Sequence, residues 1–222
     1  MRVAIVSTPR TCSSFLENIM STKYDLKDYS EIFSYGALSN DIGREKLEIL
    51  KNTDNYSVKI TSTSFRLHDE IISPETFPWE LFDKIILAER EDIAQQVASW
   101  LTLNHSQING HSDHNSLVKY LTEQLKNVET IPFKDNDFKN AMADINYFYE
   151  HIKSSLVKLG DKVKTVKYEL LQKHPSEYID ELNNILDTDF SVEEVSGRLT
   201  KTELDYTPYI DYYKLREKIY AT

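Results

Sequence analysis

The chain has 222 residues, 40% of them hydrophobic and 28% charged, and a formal net charge of −10. That is the composition of a single globular domain, and its acidity excludes general nucleic-acid binding, which needs a basic surface. No apolar run reaches the roughly 18 residues needed to span a bilayer, and one cysteine, Cys12, excludes a disulfide framework and fits a reducing cytoplasm.

Val3 to Val6 is a continuous apolar run, as expected of a strand buried on both faces and not of a signal peptide. Phe15, Leu16, Ile19 and Met20 then recur at helical spacing, with Ser13 or Ser14 placed as N-cap. A strand, a short loop and a helix point backbone N–H groups and a helix N-terminus at one spot, which suits an anion. Arg10 adds a charged fork there, and Thr11, Ser13 and Ser14 add hydroxyls. The stretch reads as a phosphate- or sulfate-binding loop.

Further on, residues 41–50 predict a surface helix, with Ile42, Leu47 and Leu50 on one side. Tyr56 to Thr61 predicts a strand in which Tyr56, Val58 and Ile60 alternate with polar residues. Lys84 to Ala88 predicts a short central strand. After it come Arg90 and a helix carrying Ile93, Val97, Trp100 and Leu101, a second strand–loop–helix unit with an arginine at its turn. Residues 104–115 read as a polar loop; its His105, His111 and His114 fit no zinc spacing, and no metal site is expected. Helices are predicted over 116–128, over 137–159 with Gly160 as C-cap, over 177–186 and near 209–220, and a strand over 163–168.

Strands separated by helices predict a three-layer α/β/α domain with a central, mainly parallel sheet over 1–222, elaborated by helices at about 104–160. Ligands of such sheets bind beyond the carboxyl ends of the strands, where Arg10 and Arg90 both fall. The nucleotidase pattern GxxxxGK followed by Ser or Thr is absent: the first glycine is Gly36, and no lysine sits in the loop. GxGxxG is missing as well. A phosphatase built on Cys12 needs an arginine six positions on, and that residue is Asn18.

The remaining pattern, TPRTCSSFL, resembles the 5′-phosphosulfate loop of sulfotransferases that use 3′-phosphoadenosine 5′-phosphosulfate (PAPS), commonly PR(S/T)GTTLL. The run ILAEREDIAQQVASW at 86–100 is similar to the same family's 3′-phosphate site, and AQQVASW is closest to the bacterial trehalose-sulfotransferase-like branch. The resemblance implies a P-loop-like sulfotransferase fold and transfer of a sulfuryl group from PAPS to a hydroxyl, or an amine, of a small-molecule or glycan acceptor, without a required metal. It implies that Arg10, Thr11, Cys12, Ser13 and Ser14 hold the 5′-phosphosulfate and that Arg90 and Ser99 hold the 3′-phosphate. Glu31, in Ser30-Glu31-Ile32-Phe33, matches the family's general base, and Arg10 neutralises charge on the leaving phosphate. Tyr168, in Tyr-Glu-Leu-Leu, lines the adenine pocket or packs in the core; Lys201, with Gly197 and Arg198, matches the loop that folds over the nucleotide. Lys59, in Lys-Ile-Thr, either touches the sulfuryl group or faces outward from its strand. Cys12 stands where the family usually has glycine, and the Arg90-to-Ser99 interval is one residue longer than in the cytosolic branch. A non-catalytic nucleotide-binding module that kept the fold is the alternative; a nucleotide kinase is disfavoured by the missing loop lysine.

Overall fold

The computed structural model describes residues 1–11, 13–29, 32–33, 41–66, 73–108, 133–193 and 210–221, with only the backbone for 21–23, 41–42 and 105–108. It divides into two compact units, Met1–Glu91 with Asp144–Leu199, and Asp92–Ala143 with Thr200–Thr222.

The first unit is built on five parallel strands: β1 (Arg2–Ser7), β2 (Lys27–Asp28), β3 (Tyr56–Thr61), β4 (Lys84–Glu89) and β5 (Val163–Lys167). Their order is β2-β3-β1-β4-β5 and every pairing is parallel. β1 is central because its apolar run supplies both faces. Val3 and Ile5 enter one core with Leu16, Ile19 and Met20, while Ala4 and Val6 enter the other with Val58, Ile60 and Phe82. The alternation of side chains across a strand therefore places a packed layer on each side of the sheet, giving the three-layer α/β architecture. Because β1 lies between β3 and β4, the chain reverses its winding direction there, and the carboxyl ends of these strands are where sheets of this kind take their ligands.

Helix α1 (Ser13–Tyr24) returns from that edge along the core that holds Leu16 and Met20, and stops at Asp25, whose left-handed φ of 49° closes it. Helix α2 (Asp41–Lys51) buries Leu50 against the opposite face. A short helix α3 (Ser62–Arg66) follows β3 directly. Its Phe65 joins Phe77, Trp79 and Phe82 in an aromatic cluster, with Phe77 and Trp79 centroids 4.6 Å apart. Helix α6 (Tyr168–Lys173) follows β5, and α7 (Pro175–Leu186) begins with proline at its first position and ends at left-handed Asp187.

Several expectations change. α1 already begins at Ser13, so Ser13 and Ser14 are its first helical positions and neither is its N-cap. All six residues of β3 are buried, not alternate ones, because both faces of the sheet are covered at that strand. Tyr168 opens a helix and does not end a strand. The helix expected over 137–159 is α5 (Asp135–Tyr147), a π-helical turn (Phe148–Lys153), a short α turn (Ser154–Leu156) and a 3-10 stretch (Val157–Lys162) in which Gly160 takes φ 55°. Phe148, Ile152 and Leu156 pack into the core beside Tyr56. Residues 104–108, expected in a loop, complete helix α4 (Ile93–Ile108). The helix expected at 116–128 and the residues His111 and His114 lie outside the described residues.

In the second unit, Asp92 caps α4: its Oδ1 accepts the Gln95 N–H at 2.9 Å. Helix α8 (Tyr212–Tyr220) packs against α4, and Tyr212 Oη donates to Asp92 Oδ1 at 3.3 Å.

Candidate functional site

The loop after β1 turns on an arginine. Arg10 has φ 70°, a left-handed conformation that costs a non-glycine residue about 1–2 kcal/mol. The loop is braced from within: Thr11 Oγ1 donates to the Thr8 carbonyl at 3.0 Å, and Thr11 is buried. Its hydroxyl proton is thus spent on holding the turn. Beyond it, Ser13 is buried and Ser14 is exposed at the first turn of α1. Cys12 lies outside the described residues.

A cation reaches this turn from the neighbouring strand. Lys59, in register with Ile5 of β1, is only 7% exposed and donates from Nζ to Ser14 Oγ at 2.8 Å. An ammonium on the buried face of β3 therefore stands at the start of α1, although the loop itself carries no lysine. Of the two expectations for Lys59, the outward-facing one is overturned by this burial.

At the end of β4, Arg90 is 7% exposed. Its guanidinium carbon lies 4.3 Å from the centroid of the Tyr168 ring, and Nη1 donates to the Arg10 carbonyl at 3.4 Å. The left-handed turn at Arg10 thereby ties the two strand ends together. Nε of Arg90 is buried and has no hydrogen-bond partner among the described residues. An arginine holding an unpaired buried donor beside a loop of hydroxyls is matched to an anionic ligand.

Residues not singled out in the sequence hold this strand end. Tyr149 Oη, on the π-helical turn, donates to the Arg90 carbonyl at 3.3 Å. Burial, reinforced by Glu89, Glu169 and Glu91, pushes its phenol up to about 12, so it stays a donor at neutral pH. Lys153, on the same turn, pairs with Glu89 at 2.7 Å. Both oxygens of Glu169 accept the Glu91 N–H, at 3.1 and 3.0 Å, and Lys167 pairs with Glu91 at 2.6 Å, holding that carboxyl below its usual range. Gln172 Nε2 donates to Tyr168 Oη at 2.7 Å. Only the rarity of π-helical turns, which cluster at functional sites, could have flagged this shell, and such turns have no sequence signature of their own.

At the carboxyl end of β3, Arg66 pairs with Asp144, whose side chain is 1% exposed; burial raises its carboxyl despite the nearby guanidinium. Thr61 Oγ1 shares hydrogen bonds with Thr63 and Ser64.

The structure thus brings together Arg10, Thr11, Ser13, Ser14, Lys59, Arg90 and Tyr168 on the carboxyl edge of the first unit. Ser99 is 2% exposed on α4 of the second unit. Glu31, Gly197, Arg198 and Lys201 lie outside the described residues. Among the described residues, no helix is long and apolar enough to cross a membrane, and no group of three or more His, Cys, Asp or Glu is placed to hold a metal ion.

No protein-family model matches the chain, and no curated protein matches it. Among solved structures it is similar to mouse sulfotransferase SULT7A1 complexed with PAP, at 15% identity and a TM-score of 0.44, over 91% of this chain. The chain spans 63% of that protein's length in the structure.

Proposed function

We propose that the chain is a PAPS-dependent sulfotransferase. The observation that carries this reading is the pair of arginines at the ends of adjacent parallel strands, one in a hydroxyl-rich loop at a helix start and the other buried with an unpaired donor. PAPS carries phosphate charge at two ends and needs two cationic anchors. Arg10, the loop N–H groups, Cys12, Ser13 and Ser14 hold the 5′-phosphosulfate; Thr11 keeps the loop in shape. Lys59 adds charge at the same end. Arg90 holds the 3′-phosphate.

The donor supplies the sulfuryl group: its S–O bond to phosphate breaks as the acceptor oxygen bonds to sulfur. Within the chain, Glu31 takes the acceptor proton, and Arg10, Lys59 and the helix N-terminus stabilise charge on the leaving phosphate. Sulfuryl transfer, like phosphoryl transfer, depends on in-line positioning more than on covalent help. The acceptor is a hydroxyl or amine on a small molecule or glycan. Carbohydrate, a place in the bacterial trehalose-sulfotransferase-like branch and a cytoplasmic setting follow by analogy from AQQVASW and the single cysteine.

Calorimetry with adenosine 3′,5′-bisphosphate and turnover of labelled PAPS over a panel of sugars, lipids and phenols test the reading together. Arg10→Ala and Arg90→Ala should abolish bisphosphate binding, while Glu31→Ala binds normally and transfers nothing. Intact affinity in both arginine variants sinks the assignment. Tight binding with no turnover on any acceptor favours the non-catalytic module.

A further inference from the structure

We infer that Tyr168 is a positioning residue that aims Arg90 at the 3′-phosphate, and not a wall of the adenine pocket; the inference rests on the sulfotransferase reading. The guanidinium of Arg90 already covers one face of the Tyr168 ring, at 4.3 Å from its centroid. A guanidinium held over a ring at this distance is fixed in position by a partner that takes none of its N–H donors. A second contact, the Arg10 carbonyl accepting Nη1 at 3.4 Å, limits how the group can turn. Held at two points, the guanidinium keeps its unpaired Nε in a restricted range of directions.

The platform is itself held. Tyr168 is 7% exposed, so the ring has little room to swing, and Gln172 on the next turn of α6 anchors its hydroxyl at 2.7 Å. Glu169, beside Tyr168, grips the Glu91 N–H with both carboxylate oxygens. One six-residue helix thus latches two consecutive residues at the end of β4, the first by its side chain and the second by its backbone. Opposite it, the Tyr149 hydroxyl holds the Arg90 carbonyl. A residue whose task is to pack against adenine needs none of these contacts with the arginine.

The two roles separate on a ligand lacking the 3′-phosphate. Affinities of adenosine 3′,5′-bisphosphate and adenosine 5′-phosphate are measured by calorimetry for wild type, Tyr168→Phe, Tyr168→Trp, Tyr168→Met and Gln172→Leu. Tyr168→Met, which fills volume without offering a ring face, should weaken the bisphosphate about tenfold and leave the monophosphate unchanged. Tyr168→Trp keeps a face and should keep the preference, while Tyr168→Phe, which keeps the face but loses the Gln172 anchor, should match Gln172→Leu. Gln172→Leu, at an exposed position, loosens the ring and should cost about two- to threefold on the bisphosphate alone; it decides the matter even where Tyr168→Met does not fold. Equal losses on both nucleotides, or no loss in either variant, overturn the inference while leaving the sulfotransferase reading in place. A wild-type protein that binds neither nucleotide removes the reading and the inference together.

Discussion

The two ends of the central strand pair β1–β4 handle their arginines in opposite ways. At the amino ends, Arg2 meets Asp83 at 2.6 Å, and the Asp83 carboxylate also accepts the Arg2 N–H at 2.8 Å. The charge is answered by a carboxylate and the region is closed. At the carboxyl ends, Arg90 stacks on a ring and touches a carbonyl but makes no ion pair among the described residues. The nearby carboxylates are answered elsewhere, Glu89 by Lys153 and Glu91 by Lys167. One end answers its cation with a carboxylate; the other leaves its cation without one among the described residues. In a protein with a net charge of −10, that local retention is what makes an anion site feasible.

The largest effect expected comes from breaking the contrast within the carboxyl end itself. Arg90 acts as a stacked, forked donor, whereas Arg10 contributes charge and a turned backbone. Arg90→Lys should therefore lose about a hundredfold in affinity for adenosine 3′,5′-bisphosphate by calorimetry, since an ammonium neither stacks in a plane nor forks. Arg10→Lys should stay within about tenfold of wild type. Equal losses in the two variants would mean that both arginines serve only as point charges.

A smaller effect tests how far the first loop is made by its own brace. Thr11→Val removes the hydrogen bond to the Thr8 carbonyl while keeping the volume, and should cost about 1 kcal/mol in denaturant unfolding. The accompanying loss of nucleotide affinity should exceed that seen for a site-remote variant of equal stability.

The smallest effect belongs to the amino end. Hydrogen bonding and charge from Arg2 hold the Asp83 carboxyl below its ordinary value. A depressed carboxyl stabilises the fold above its ordinary pKa and loses that contribution as pH falls through the folded value. Asp83→Asn should cost under about 1 kcal/mol near neutral pH, because the pair is partly exposed. The difference from wild type should shrink to nothing in acid, with nucleotide affinity unchanged throughout. A change in affinity would break the separation of the two ends.

Much of the fold was legible before any coordinates. β3 lies where alternation placed it, β4 extends the predicted run by one residue, and α2 and α7 begin and end within two residues of expectation. These elements carry their periodicity in contiguous residues, and caps such as Pro175 are local as well. The loop after β1 and the arginine after β4 were legible for the same reason. Less legible were features set by neighbours far along the chain. Lys59 in a half-polar strand reads as a surface lysine; that it is buried at the start of α1 depends on β3 lying beside β1. A missing glycine at residue 12 drew attention to Cys12, yet the described left-handed turn falls on Arg10, whose carbonyl it directs to Arg90.

Sequence alone therefore determined the strand ends, the two arginines beside them and the expectation of an anionic ligand there, since each follows from short-range pattern and from charge. Tertiary structure decided how the second arginine is aimed. Tyr168, Glu169, Gln172, Tyr149 and Lys153 come from segments long after β4, and parallel pairing of β4 with β5 together with packing of the π-helical turn against the sheet brings them to one strand end. The physical reason is that a parallel sheet joins strands only through long crossovers, so the residues that orient a side chain at its edge are separated in sequence and share no local pattern with it.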